Sequence, residues 1–183
     1  GTCFMSVLTN LSSGAIGNAG AYATAILELL GDSDPRRILQ KTARRLRDAV
    51  EGRNDELLRR PKAKGKWSAI EIIQHLADSE VAWAWRLRSV IAQDRAEITG
   101  YDQDAWAAAL RYKEADLEPA IQQFEVLRES HLRLLEGLDD STLAHVGVHR
   151  ERGEESIEYM IRLYAGHDLV HLRQLDRVLA TTL

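Results

Sequence analysis

Two histidines four residues apart, His167 and His171, stand inside a long segment whose apolar residues recur at helical intervals. On a helix this spacing stacks both imidazoles on one face, about 5–6 Å apart at Cβ. Neutral imidazole is the commonest protein ligand for a transition metal, so the pair supplies half of a metal site. The stretch His167-Asp168-Leu169-Val170-His171 has the outline of the H-E-x-x-H protease motif, with Asp168 where the general-base glutamate would stand. The metzincin pattern places a third histidine six residues after the second, and here that position is Arg177. The residues after His171 contain no His, Cys or Glu, and Asp176 is their single carboxylate. A third ligand therefore has to come from upstream.

The elements that would position it are helical. A short helix is expected over about Ala21 to Leu30, stopped by Gly31, after which Ser33-Asp34-Pro35 gives a cap followed by proline at the first helical position. Four long amphipathic helices follow, from Pro35 to about Val50, from Ser68 to about Gln93, from Asp116 to about Gly137 and from Glu154 to Ala180. Ser68 and Glu71 form a capping box at the head of the second, flanked by the Trp67/Ile72 pair of a hydrophobic staple. Strand signals are nearly absent. The pattern predicts an all-α four-helix bundle. The 22 residues from Asp94 to Ala115 are long enough for a crossover that leaves the second and third helices parallel, giving an up-down-down-up order.

Depth along the bundle narrows the choice of third ligand. His145 and His149 fall in a turn-rich link, leaving His75 and His131 on helices. At 1.5 Å per residue His75 lies roughly 10 Å into the second helix, and His171 roughly 14 Å from the end of the fourth. In an up-down-down-up bundle these are similar depths from one end, whereas His131 would be roughly 22 Å from it. The competing reading is that these histidines are hydrogen-bonded core residues. Asp78 and Asp168, three residues from His75 and His171, are candidate carboxylates for the second imidazole nitrogen, where they would fix the tautomer and raise ligand basicity.

Composition limits the alternatives. With 183 residues the chain is expected to form one bundle domain over residues 21–183, after a Gly/Ser/Asn-rich flexible lead-in over residues 1–20. A formal net charge of −4 argues against a nucleic-acid partner, and the arginine run from Arg36 to Arg47 reads as a solvated face. No apolar run approaches a membrane span and no secretory signal is evident. The single cysteine, Cys3, fits a reducing cytoplasm.

Several short segments, in this order and spacing, resemble the DinB/YfiT-like superfamily of metal-binding four-helix bundles. They are Leu29-Leu30-Gly31-Asp32-Ser33-Asp34-Pro35, Gly65-Lys66-Trp67-Ser68, His75-Leu76-Ala77-Asp78-Ser79-Glu80, Gly100-Tyr101-Asp102, His149 to Gly153, and Ala165 to Gln174. The resemblance covers roughly Tyr22 to Leu179 and implies an up-down-down-up bundle, often homodimeric. It implies a metal held by one histidine early in the second long helix and an H-x-x-x-H pair on the last, which match His75, His167 and His171. The implied activities are metal-dependent hydrolysis or transfer of low-molecular-weight thiols, on an unidentified small molecule.

Three neutral ligands leave the full charge on a divalent ion and at least one position open, which suits hydrolysis and thiolate chemistry alike. Imidazole suits several metals: zinc or nickel first, iron or manganese next. His149, with Glu151 and Arg152 in the link before the last helix, is a candidate on the substrate side, as are Arg86 and Tyr101. The alternative is a non-catalytic bundle, metal-stabilised or serving as an interaction or stress-response module. Trp67, Trp83, Trp85 and Trp106 read as core or dimer packing.

Overall fold

The computed structural model describes residues 19–180. Its elements are α1 (Ala19–Leu30), α2 (Pro35–Val50), α3 (Asp55–Arg59), α4 (Ala69–Ala92), β1 (Ala96–Ile98), α5 (Gln103–Ala109), α6 (Leu117–Glu136), α7 (Asp140–Leu143), β2 (Val146–His149), β3 (Gly153–Ser156) and α8 (Ile157–Ala180). The lead-in expected over residues 1–20 lies outside the described residues, apart from Ala19 and Gly20, which open α1.

The four long helices are α2, α4, α6 and α8, and their side-chain contacts fix their directions. Along α2 and α8, Thr42 meets Asp168 and Arg45 meets Asp176, so these two run parallel. Along α4 and α6, Asp78 meets Gln123, Glu80 meets Arg128 and Arg88 meets Ser130, again parallel. Between α4 and α8 the order reverses: His75 meets His171, whereas Trp83 stacks on Tyr164. The bundle is therefore up-down-down-up, as the long crossover predicts.

Local chemistry sets the helix ends. Asp34 accepts from the amides of Arg36 and Arg37 ahead of Pro35 at the start of α2. The Ser68 hydroxyl accepts from the Glu71 amide, and the Glu71 carboxylate accepts from the Ser68 amide, completing the capping box of α4. The Ser156 hydroxyl accepts from the Tyr159 amide at the head of α8.

Two apolar clusters fill the bundle. One holds Leu46, Val50, Ile70, Ile73, Ile121, Phe124, Leu172 and Leu175. The other holds Leu30, Leu39, Trp83, Leu87, Leu135, Ile157 and Ile161. On every long helix a buried polar residue separates them: Thr42 on α2, His75, Ser79 and Glu80 on α4, Arg128 and His131 on α6, Asp168 and His171 on α8. The core is thus interrupted at one level by a polar layer spanning all four helices. Buried polar groups are tolerated only when paired, so this layer is where function is to be sought.

The structure departs from the all-helical expectation in its connectors. The crossover after α4 and the link before α8 contribute a small sheet of order β1-β2-β3. β1 pairs parallel with β2, Ile98 opposite His149, and β2 pairs antiparallel with β3. Strands of three or four residues carry no usable alternation, and residues 154–156, expected to be helical, complete the hairpin. Gly147 is needed there, because a Cβ on it would lie 2.1 Å from Ile98 and 2.9 Å from Val90. Among the tryptophans, Trp83 is fully buried, whereas Trp85 is 71% exposed.

Helix α1 lies antiparallel along α8, and Gly166 permits the contact. A Cβ at Gly166 would sit 2.2 Å from Ile26 Cγ2 and 2.7 Å from the Ile26 carbonyl oxygen. The second atom is backbone, so relief requires moving α1. Gly166→Ala gains about 1 kcal/mol of helix propensity, but overpacking of this kind costs about 1–3 kcal/mol. The expected outcome is a lower urea midpoint together with faster proteolysis within α1.

Candidate metal centre

His75 comes from α4 and His167 and His171 from successive turns of α8. The antiparallel crossing brings them together: His75 Nε2 lies 3.2 Å from His167 Nε2 and 3.1 Å from His171 Nε2. Three ligand atoms of these residues lie within 4.8 Å of one another. Tetrahedral coordination at 2.0–2.1 Å places ligand nitrogens about 3.3 Å apart, so the cluster has the dimensions of a metal site. His131, the other helical histidine, is not part of it.

The surroundings keep these rings neutral and aimed. The His171 Nδ1–H donates to Gln174 Oε1 at 2.8 Å, which leaves the Nε2 lone pair facing the cluster. Trp67 packs on His75 with ring centroids 4.9 Å apart. Burial pushes the His171 imidazole down to about 4, against a smaller opposing effect of Gln174. Burial also holds His75 well below its usual value, reinforced by His171 and His167. His167 is depressed by burial, then by His171, Arg128 and Arg86. At neutral pH all three rings are therefore neutral, each with one nitrogen lone pair, and three such rings converging through Nε2 are a donor set that a cation satisfies. The site fits a divalent metal ion.

The two carboxylates expected to support the histidines are engaged elsewhere. Asp78 accepts from Gln74 and Gln123. Asp168 accepts from Arg128 Nη1 at 2.6 Å and Nη2 at 3.1 Å, and from the Thr42 hydroxyl at 2.6 Å. A residue three positions before His171 lies on the face of α8 turned toward α2 and α6, whereas Gln174, three positions after it, reaches the outer nitrogen. Arg128 is the group that sequence reasoning missed. Its guanidinium is buried, holds Glu80 at 2.7 and 3.1 Å, donates to the Leu39 carbonyl and lies over the Phe124 ring. Glu80 also meets His131 Nδ1 at 2.9 Å. Burial alone would raise the Glu80 carboxyl, but Arg128 and His131 together outweigh it and hold it below its usual range. This network packs directly behind the histidines and ties all four long helices at their level.

In front of the histidines opens a cavity of ≈ 500 Å³, a size suited to a small molecule. His167 and Ser79 reach it from the floor, Tyr22 from α1, and Arg86, Tyr101 and His149 from the walls. The Ser79 hydroxyl lies 3.5 Å from His75 Nε2 and 3.0 Å from the Tyr101 hydroxyl, so a pair of hydroxyls borders the cluster. Burial raises the Tyr101 hydroxyl above its usual value, which keeps it a neutral donor. His149 lies on β2, where its Nδ1 accepts from the amides of Glu151 and Arg152.

A cluster of three convergent histidines within an up-down-down-up bundle, one of them, His167, reaching a cavity, defines a metal-site helical protein. Comparison with known proteins places it more closely: the family model described as the DinB superfamily matches residues 38–175, and the chain belongs to that superfamily. A relative from Oceanobacillus iheyensis is 30% identical over 73% of this chain and 77% of its own length. YfiT of Bacillus subtilis is 26% identical over 76% of this chain and 81% of its own. Both bear the name "Putative metal-dependent hydrolase". The solved structure of Bacillus subtilis YfiT, described as having an unusual four-helix bundle topology, superposes with a TM-score of 0.74 at 24% identity, covering 79% of this chain and 83% of that one.

Proposed function

We propose that this protein is a metal-dependent hydrolase whose divalent ion is held by His75, His167 and His171. The observation carrying this reading is the convergence of three imidazole nitrogens, 3.1–3.2 Å apart about His75, with His167 opening the cluster to a cavity sized for small molecules. Held there, a divalent ion would keep its full charge and would supply a bound water of lowered pKa, near ~7, and Lewis-acid polarisation of a carbonyl group. Zinc or nickel suits an all-imidazole donor set.

The chain's own residues supply the rest. Gln174 fixes the His171 tautomer, and Trp67 packs against His75. The Tyr101 and Ser79 hydroxyls stand where a substrate carbonyl oxygen or a departing group would be met, and Tyr101 stays protonated to donate. Removing one such donor commonly costs about 10²–10³ in rate, so Tyr101→Phe is expected to lower kcat strongly and KM little.

The test is metal content by plasma mass spectrometry on untagged wild type and His75→Ala, followed by an ester and amide screen. About one divalent ion per chain in the wild type, lost in the variant, with metal-dependent turnover, is the expected result. Wild type that takes up no zinc, nickel or iron on reconstitution overturns the proposal.

A further inference from the structure

Arg86 is half-buried in the cavity wall, and its hydrogen-bond partners are all neutral. Nε and Nη2 donate to the Thr99 carbonyl at 3.2 and 2.7 Å, and Nη1 donates to the Tyr164 hydroxyl at 3.1 Å. Among the described residues no carboxylate forms an ion pair with it, although the neighbouring arginines have theirs: Arg150 pairs with Glu97 and Arg152 with Glu155. Of the acids on the lining, Glu97 is thereby engaged, Asp102 caps α5 through the amides of Asp104 and Ala105, and Glu151 is exposed at the hairpin turn. Glu155, the carboxylate whose charge is felt at Arg86, is itself paired with Arg152, so a half-buried guanidinium with only neutral hydrogen-bond acceptors is left to favour an anionic ligand.

Two further polar atoms point the same way. Because His149 Nδ1 accepts from two amides, its proton resides on Nε2, and that buried N–H has no hydrogen-bond partner among the described residues. It faces Gly100, 3.4 Å from where a Cβ would stand, so the glycine leaves room beside it. The Tyr22 hydroxyl is likewise buried and has no hydrogen-bond partner among the described residues, and it lines the same cavity. A cation and two unsatisfied donors lining the cavity that His167 also reaches form an anion subsite that the metal does not occupy.

We propose that the substrate carries a carboxylate, bound at Arg86 with His149 and Tyr22, while its reacting end lies over the three histidines. The last clause rests on the metal reading; the subsite itself does not. One guanidinium with two neutral donors matches a single negative charge. Hydrogen bonds to a charged partner are strong enough to give discrimination of about tenfold or more over a neutral isostere.

The probes are butanoate and its neutral isostere butanamide, titrated into metal-stripped and zinc-reconstituted protein. Binding is followed by isothermal titration calorimetry, which reads wild type and every variant alike. In wild type, butanoate is expected to bind at least about tenfold more tightly than butanamide. Arg86→Gln is expected to abolish the preference, and Tyr22→Phe, which removes only a hydroxyl, to weaken butanoate several-fold. Should Arg86→Gln lose its circular dichroism spectrum because the Thr99 anchor is gone, Arg86→Lys and Tyr22→Phe carry the comparison. Equal affinity for the two probes in wild type, or a preference that survives in folded Arg86→Gln, overturns the proposal. Discrimination in stripped protein that takes up no metal would uphold the subsite and overturn the metal reading. One metal per chain with no discrimination would do the reverse.

Discussion

Arg128→Met is expected to lower folding stability by about 3–5 kcal/mol, a large part of the ~5–15 kcal/mol that holds an ordinary domain together. The guanidinium is buried between Glu80 and Asp168, each about 1% exposed at the side chain. Removing it leaves two carboxylates facing each other with no cation and no access to water. The cost lies in the stranded charge rather than in lost packing, since methionine fills similar space. Urea denaturation should therefore show that Arg128→Met combined with Glu80→Gln and Asp168→Asn is more stable than Arg128→Met alone. A triple variant less stable than the single one would show that the network's worth lies in its hydrogen bonds instead.

Acidifying the metal-stripped protein from pH 7 to 5 is expected to cost about 2 kcal/mol through His171 alone. Its imidazole titrates at about 4 in the folded chain and near 6.5 when unfolded. Between those values the unfolded state holds the proton and the folded state does not, so stability rises with pH across this window and levels off above it. His75 and His167 are depressed in the same direction and add to the slope. The measurement is the urea midpoint of stripped wild type and of His171→Leu at intervals from pH 4 to 8. The variant should show a shallower slope between about 4 and 6.5, and equal slopes would mean that His171 is not buried neutral.

The convergence of the three histidines was legible because it depends on two robust quantities. An i, i+4 pair must share a helix face, and helical rise converts residue count into depth. Those arguments, given an up-down-down-up order, favoured His75 over His131 as the partner of His167 and His171, and the family resemblance pointed to the same three residues. The supporting groups were not legible in the same way. Asp168 and Gln174 are both three residues from His171, and only the packing of α2 and α6 on one side of α8 decides which reaches its ring. Arg128 lies four residues after Phe124 and three before His131, on the buried side of α6. A charged residue in that register signals a partner on a facing helix, and Glu80, between Leu76 and Trp83 on α4, carries the matching signal. The short strands left no trace because Val146-Gly-Val-His149 is too brief to show alternation.

The floor of the cavity is laid by rigid helices, whereas Tyr101 and His149 come from the two connectors that β1 and β2 join side by side. These connectors are distant in sequence but mechanically a single piece, so they would have to be transplanted together. Grafting both from a relative, with the histidines and the Arg128 network left alone, is a route to changing what the pocket accepts while preserving the scaffold. Exchanging one without the other would break the parallel pairing that seats them.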